Sequence, residues 1–240
     1  MIPVPYQDRA HAGRELAAQL ARTPLRDPLV LAIPNGGLEV ALPVAEALHA
    51  ELDVVLSRKL RAPDRTELAI GAINEAGDVN LNGHSHLVRQ AGAAWLEQER
   101  RQQMAAIAQR QALFRGIRPR ARLRRRSVVV VDDGLATGST MIAALRMLHD
   151  SGAHEVIAAV PVAAPESLTP VRAVCDRVVA LLEPVPFLAV GQFYRRFEQV
   201  GDERAAALLR QGQPPARDAG RARTALSAPA TSATQPGSPG

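Results

Sequence analysis

The sequence predicts an open, mostly parallel five-stranded α/β sheet with helices on both faces. Short continuous apolar runs, which suit strands buried on both faces, alternate along the chain with segments of helical spacing. Such β-α-β-α repetition is typical of a doubly wound parallel sheet. At 240 residues and 47% hydrophobic composition, the chain is long enough for one large domain, which we place over residues 1–210.

Each strand of the predicted sheet corresponds to one apolar run, and the runs follow in chain order: 29–33, 52–56, 128–131, 155–162 and 177–182. The third run consists of four consecutive valines, the strongest β signal in the chain. Apolar residues at helical spacing predict a helix over 38–50, despite Pro43, and another over 140–150, which Gly152 closes.

A long insertion separates the second predicted strand from the third. Residues 58–127 are too many for a simple crossover, and we predict an inserted hairpin or lid, with a long polar helix over 90–114. Within 115–126 there are seven arginines and no acid, which favours a solvated, mobile stretch. Contact of this run with nucleic acid is the alternative, which the near charge balance of the rest of the domain disfavours.

Composition narrows the class of protein further. Cys175 is the sole cysteine, which excludes an internal disulfide and a cysteine-based zinc site. No apolar run is long enough to span a membrane and the first residues lack the apolar core of a secretory signal, so we expect a cytoplasmic protein. Residues 211–240 are rich in Pro, Gly, Ser, Ala and Thr without apolar periodicity, which predicts a disordered tail.

The most informative stretch is VVVVDDGLATGST at 128–140. A buried strand delivers Asp132 and Asp133 to the carboxyl end of the sheet, where parallel sheets bind ligands. The following loop offers hydroxyl groups and the N–H groups of a helix N-terminus, and Gly134 and Gly138 allow close backbone approach to a phosphate. Acids beside a phosphate site suit a ligand that also carries vicinal hydroxyls, such as ribose 5-phosphate. Ordinary capping of the next helix is the structural alternative.

This string resembles the signature with which type I phosphoribosyltransferases bind phosphoribosyl pyrophosphate (PRPP). Two further stretches, ELAIGA at 67–72 and FLAVG at 187–191, are similar to a bacterial subgroup of predicted phosphoribosyltransferases whose acceptor is unassigned. The resemblance extends over residues 1–210. It implies an enzyme that transfers ribose 5-phosphate from PRPP to a nitrogen nucleophile, releasing pyrophosphate, with Mg²⁺ as cofactor.

The resemblance also implies roles for individual residues. Asp132 and Asp133 would bind the ribose hydroxyls directly or through Mg²⁺, and Lys59 would join them in catalysis. The ribose 5-phosphate would be held by five loop residues: Ala136, Thr137, Gly138, Ser139 and Thr140. The pyrophosphate would be held after the first strand and after the second, by Asn35, Gly36, Gly37 and Arg58. Residues 58–127 would form the lid, and 185–210 part of the hood over the site.

Lys59 is the sole lysine among 29 basic residues. Either a bias toward arginine codons leaves it there by chance, or the site requires a compact ammonium group in place of a planar guanidinium. Composition does not decide between these alternatives. Its position after the second strand, where the family places a basic residue, favours the second.

The acceptor stays open at this point. Family members that salvage 6-oxopurines are similar but carry an acid at the position of Ala136, which argues against hypoxanthine or guanine. Phe193 or Tyr194 could stack on a base, although packing under the edge of the sheet explains them equally well. His84 and His86 could chelate a metal, but a polar loop is the simpler explanation because no third ligand is in view.

Two functions are therefore considered. The first is a PRPP-dependent transferase that binds PRPP and a small-molecule acceptor, contacts neither membrane nor nucleic acid, and forms a homo-oligomer. The alternative is a PRPP-binding regulator of the same fold that contacts nucleic acid through 115–126. A full set of pyrophosphate-binding groups favours the enzyme, because a regulator does not need contacts to a leaving group.

Overall fold

In the computed structural model of the chain, the described residues are 4–63, 65–81, 85–148 and 151–212, with side chains described except for 65–69, 80 and 85–91. The predicted tail beyond 212 and His84 lie outside the described residues, as does the side chain of His86. The helices and strands are, in chain order, α1 (Arg9–Leu20), β1 (Leu29–Ala32), α2 (Gly36–Ala47), β2 (Glu51–Val54), β3 (Ser57–Ala62), β4 (Arg65–Asn74), β5 (Val79–Leu81), α3 (Ser85–Arg115), β6 (Ser127–Val131), α4 (Ser139–Leu148), β7 (Glu155–Val162), α5 (Pro165–Arg172), β8 (Arg177–Leu182) and α6 (Asp202–Gln211), with a 3₁₀ turn (Val190–Phe193) before α6.

A five-stranded parallel sheet of order β2-β1-β6-β7-β8 forms the centre of the domain. The predicted fold class is confirmed, and all of the predicted strands are present. β6 is buried at every residue, as its continuous valine run predicts for a central strand. Ala32 at the end of β1 is aligned with Val131 at the end of β6. The loops that follow these two strands therefore begin side by side at the carboxyl edge of the sheet.

Helices cover both faces of the sheet because its strand residues alternate between two clusters. Val30 and Val129 pack in the cluster that contains the buried residues of α1, α2 and α6. Leu31 and Val130, one residue further along their strands, pack in the cluster that contains those of α4 and α5. This arrangement leaves the carboxyl edge of the sheet as the place where loops from both layers meet.

The insertion consists of a long helix and a small antiparallel sheet. Besides α3, which contains the predicted helix 90–114, it forms a three-stranded antiparallel sheet of β3, β4 and β5. Leu60 and Ile73 of this sheet are fully buried and pack in one cluster with Ile107 and Phe114 of α3. The small sheet therefore has its own apolar contacts with α3, and it carries Arg58 and Lys59 on its first strand.

Sequence patterns do not indicate α1, α5 or α6, and α1 is the one that bears on function. Asp8 caps α1 by accepting a hydrogen bond from the backbone N–H of His11 at 2.9 Å. The helix lies so close to α2 that a Cβ on Gly13 would stand 2.4 Å from the carbonyl oxygen of Val40. None of the helices within the described ranges combines the length and apolar character needed to cross a membrane.

The two ends of the arginine run form an internal clamp, so the expectation of a solvated stretch over 115–126 is wrong for Arg115 and Arg126, although arginines between them are exposed. Arg115 donates to the buried Asp53 of β2, with Nη1 and Oδ1 2.7 Å apart. Arg126, only 7% exposed, pairs with Glu51 at the start of β2, its Nη1 2.6 Å from Oε2. Sequence spacing could not show this, because the acidic partners precede the run by more than sixty residues.

Replacing Arg115 by Ala should lower the free energy of unfolding by about 3 kcal/mol, because it leaves the carboxylate of Asp53, 1% exposed, without its cation. Denaturant unfolding followed by circular dichroism measures this change. Arg122→Ala is the matched control from the same run: its side chain is exposed and has no partner among the described residues, so a change within about 0.5 kcal/mol is expected. Equal effects of the two variants would contradict the clamp.

Candidate functional site

Two loops pack closely at the carboxyl edge of the sheet. Asp132 and Asp133 follow β6, and the loop after β1 passes directly beside them. A Cβ on Gly36 would lie 2.3 Å from Oδ2 of Asp133, and one on Gly37 would lie 2.9 Å from the carbonyl oxygen of Val131. Glycine is needed at both positions because any side chain would displace the acidic pair. The predicted pyrophosphate loop and the predicted ribose-binding acids are thus brought into contact.

The loop after the acidic pair lines a small cavity of about 120 Å³. The cavity is bounded by Lys59, Asp132, the residues 134–141 and Val190. The hydroxyls of Thr137 and Ser139 lie 3.1 Å apart at the start of α4. Gly138 has a φ of 71°, a left-handed conformation that favours glycine, and this turn directs the chain into the helix. The loop therefore offers hydroxyls and a helix N-terminus to an anion.

Lys59 reaches this same cavity from the insertion. Its side chain is exposed on β3 and has no ion-pair partner among the described residues. The structure thus places the sole lysine, Asp132 and all five predicted phosphate-binding residues around one space. Lys59 of β3 and the loop after β6 are more than seventy positions apart in the chain. They meet at this cavity because β3 packs over α4.

The two acids are adjacent and half-buried. Burial raises the pKa of Asp132 well above its ordinary value, and the charge of Asp133 raises it further. The backbone N–H of Asp133 donates to Asp132 Oδ1 at 2.9 Å and, with the charges of Arg9 and Lys59, acts in the opposite direction. The pKa of Asp133 is also raised by burial, against a lowering effect of its hydrogen bond with Arg9.

Arg9 is a site residue that the sequence patterns do not reveal. It opens α1, is only 6% exposed, and its Nε donates to Asp133 Oδ2 at 2.8 Å. Its guanidinium lies 3.8 Å from the centre of the Phe197 ring, and Nη1 donates to the carbonyl oxygen of Glu198 at 2.8 Å. These contacts fix one oxygen of Asp133. One arginine among 28 in the sequence gives no signal of such a role.

The predicted pyrophosphate-binding residues separate into two groups. The amide of Asn35 is turned toward α6, where Nδ2 donates to the carbonyl oxygen of Val200 at 2.8 Å and to Asp202 Oδ1 at 2.9 Å. Arg58 lies on the other side, in a second cavity of about 190 Å³ that it lines together with Lys59. Lys59 therefore borders both cavities.

Phe193 and Tyr194 are buried, 1% and 5% exposed, and the geometry favours packing over base stacking for both. They form a cluster with Tyr6, whose ring centre is 5.4 Å from that of Tyr194. The hydroxyl of Tyr194 donates to the backbone carbonyl of Asp133 at 2.6 Å. Tyr194 thus supports the backbone of the acidic pair.

Within the described ranges, His, Cys, Asp and Glu form no cluster of three that could hold a metal ion.

Replacing Arg9 by Gln should shift the acid limb of the pH–activity profile to higher pH. An ionised Asp133 is the stronger hydrogen-bond acceptor, so we expect activity to fall as the pH drops through its pKa. Burial already raises that pKa and the hydrogen bond with Arg9 lowers it, so loss of the guanidinium raises it further. Initial rates across a pH series measure the shift. Arg14→Gln, exposed on the same helix, should leave the profile unchanged; an acid limb that stays in place in Arg9→Gln contradicts the assignment.

Comparison with known proteins agrees with the geometry. Residues 6–190 match the family model described as phosphoribosyl transferase domain. The chain is 42% identical to TT1426 from Thermus thermophilus, whose crystal structure superposes with a TM-score of 0.76 over 87% of this chain and 99% of that one. Two curated proteins of Mycobacterium tuberculosis (strains CDC 1551 / Oshkosh and ATCC 25618 / H37Rv), both provisionally named phosphoribosyl transferases, are 40% identical over 204 residues. That match covers 85% of this chain but 46% of each relative, so the chain spans about half their length. With more than half of its residues inside the family model, the chain belongs to the phosphoribosyl transferase domain family.

Proposed function

We propose that the protein transfers ribose 5-phosphate from PRPP to a nitrogen nucleophile and releases pyrophosphate. The observation that carries this proposal is the cavity in which Asp132, Lys59 and the 136–140 loop meet. A phosphate on the loop would place the ribose hydroxyls toward the acids and the anomeric carbon toward the cations of β3. The fold and the family membership support the general class, and the cavity supports the particular substrate.

Catalysis in such a site would consist mainly of placement and charge stabilisation. Asp132 and Asp133 would accept hydrogen bonds from the ribose hydroxyls and orient the sugar. Their negative charge also stabilises the positive charge that develops on the ribose as the bond to pyrophosphate breaks. Lys59 would face the leaving pyrophosphate, whose negative charge grows in the same step. The loop at 136–140 would hold the 5-phosphate throughout.

The acidic pair fits Mg²⁺ on chemical grounds. Mg²⁺ prefers oxygen ligands, keeps several waters and binds largely through substrate phosphates, so it requires few protein carboxylates. Burial raises the pKa of both Asp132 and Asp133, and the charge of Asp133 raises that of Asp132 further. A nearby divalent cation would stabilise the ionised forms of both. When bound, Mg²⁺ would supply positive charge to the pyrophosphate oxygens. Asp132 and Asp133 would hold it directly or through water.

The acceptor must arrive as a competent nucleophile. Ala136 is exposed at the loop and its methyl group can neither donate nor accept a proton. We therefore propose a nucleobase or related small amine that needs no acid at this position. Val190 gives the cavity an apolar wall, which would suit a flat, weakly polar acceptor.

A regulator that contacts nucleic acid through 115–126 is the second candidate. Arg115 and Arg126 are engaged with acids of β2, which removes them from any such surface. Arg122, Arg124 and Arg125 are exposed and could still bind a phosphate backbone without reading its sequence. Submicromolar binding of one defined sequence at physiological salt would favour this candidate over the enzyme.

The proposed function is tested by a screen of nucleobases and small amines for PRPP-dependent release of pyrophosphate. Mixtures with each acceptor are compared with mixtures that lack it, which separates transfer from hydrolysis of PRPP. We expect at least one acceptor to give release that depends on both substrates. Failure of the protein to bind PRPP, measured by calorimetry in the presence of Mg²⁺, would overturn the proposal.

A further inference from the structure

A second cavity next to the phosphate loop is lined by an unusual concentration of positive charge. It has a volume of about 190 Å³ and lies between β3, α3 and the start of α4. Its lining contains four cations, Arg58, Lys59, Arg61 and Arg110, and the other described lining residues are neutral. Lys59 and Thr140 border this cavity and the 120 Å³ cavity alike, so the two are neighbours.

A buried chain of hydrogen bonds holds the first of these cations in place. Arg58 Nε donates to Gln103 Oε1 at 2.7 Å, and Gln103 Nε2 donates to Glu99 Oε1 at 3.1 Å. The same Glu99 oxygen accepts from the backbone N–H of Arg61 at 3.1 Å. Gln103 and Glu99 are 6% and 8% exposed. These hydrogen bonds fix β3 on α3 and leave the terminal nitrogens of Arg58 without a partner among the described residues.

The positive charges repel one another in the absence of an anion. Burial lowers the pKa of Arg58, and the charges of Arg110 and Arg61 lower it further, while Glu99 acts in the opposite direction. Cations that are held together at a partly buried place are stabilised when an anion enters. The cavity is therefore suited to a group that carries more than one negative charge.

Arg110 is the only one of the four cations that has an acidic partner among the described residues. Its Nη2 lies 3.6 Å from Asp202 Oδ1, a long contact between partly exposed side chains. The same oxygen of Asp202 accepts from the amide of Asn35 at 2.9 Å. One carboxylate at the start of α6 thus connects the cavity with the loop after β1.

We propose that Arg110, on the insertion helix α3, joins Arg58 and Lys59 in holding the leaving pyrophosphate, and that it exchanges Asp202 for this group. The proposal rests on the proposed function and adds a cation of α3, Arg110, which lies outside the short sequence motifs. The insertion then supplies cations to the leaving group from β3 and α3 together. Release of Asp202 from Arg110 also leaves Asn35 as its remaining partner, which couples occupancy of the cavity to the loop after β1.

Calorimetric titration with inorganic pyrophosphate tests the proposal. Arg110→Gln should weaken pyrophosphate binding by about tenfold or more, because it removes a charge-assisted contact. Asp202→Asn should strengthen binding by about threefold, because Arg110 loses its competing partner. In the Arg110→Gln background the effect of Asp202→Asn should largely vanish, since the two residues act on one contact.

Two control variants separate this exchange from general effects of charge. Arg101→Gln removes a cation from α3 whose side chain is 73% exposed and pairs with Glu97 outside the cavity. Glu203→Gln removes an exposed acid next to Asp202 on α6. Both should bind pyrophosphate like the parent.

The outcomes separate this proposal from the proposed function. If the parent binds PRPP and pyrophosphate and Arg110→Gln binds pyrophosphate equally well, the role of Arg110 is overturned while the transferase proposal stands. Equal strengthening by Asp202→Asn and Glu203→Gln would also overturn the exchange, because a general charge effect would explain both. If the parent binds neither PRPP nor pyrophosphate, both proposals fail.

Discussion

Conversion of both Asp132 and Asp133 to Asn should reduce turnover at least a hundredfold, on the scale of the roughly 2–4 kcal/mol lost with transition-state contacts. Asparagine keeps the shape of each side chain and removes two negative charges from the place where, in the proposed reaction, the ribose becomes positive. The pair is packed against Gly36 and Gly37, so the isosteric change should leave the fold intact. Single-turnover pyrophosphate release measures the loss, and circular dichroism checks the fold.

Glu46→Gln is the matched control for the acidic pair. It removes one exposed carboxylate near the end of α2, remote in sequence and topology from the carboxyl edge of the sheet. Its turnover should equal that of the parent. Near-normal activity of the double Asn variant would overturn the assignment of Asp132 and Asp133 to the ribose.

Lys59→Ala should reduce turnover by roughly 10²–10³ and weaken PRPP binding much less. The reason is that, in the proposed reaction, the ammonium group faces charge that grows during bond breaking. Lys59 also has no acidic partner among the described residues that would hold it elsewhere. Lys59→Arg should restore activity only in part, because a planar guanidinium carries the charge without the same reach.

These variants distinguish a catalytic Lys59 from a lysine that is present only because arginine codons replaced the others. If Lys59 is an ordinary surface residue, both variants behave like the parent. A loss of less than about threefold in Lys59→Ala, which corresponds to roughly 0.7 kcal/mol, would exclude a catalytic role. Comparison of turnover with PRPP affinity distinguishes a transition-state contact from simple binding.

The parallel sheet could be predicted from the sequence because its strands are continuous apolar runs. The acidic pair and the phosphate loop follow the most apolar of these runs, β6, and their place at the carboxyl edge follows from the fold. The antiparallel sheet of the insertion could not be predicted in the same way. On its strand β3, Lys59 and Arg61 are exposed and Arg58 is half-buried, and these charges hide the alternation of buried Leu60 and Ala62.

Contacts between distant charged residues could not be predicted from the sequence for a different reason. Arg9 meets Asp133 across 124 positions, and Arg115 meets Asp53 across 62. In a chain with 28 arginines, any of them could pair with any acid, and only the fold selects the partners. The same ambiguity made 115–126 resemble a solvated stretch. Long-range ion pairing is therefore the part of this site that sequence patterns do not encode.

Asp53 has a consequence for how this protein can diversify. The chain leaves the main sheet just after Asp53, and the returning chain meets the same carboxylate through Arg115 and the backbone N–H of Ala121 at 2.9 Å. The two ends of the insertion are thus joined at one carboxylate, which holds them together whatever the length of the chain between them. The insertion can therefore change in length between these two ends while the joint at Asp53 and the main sheet stay in place.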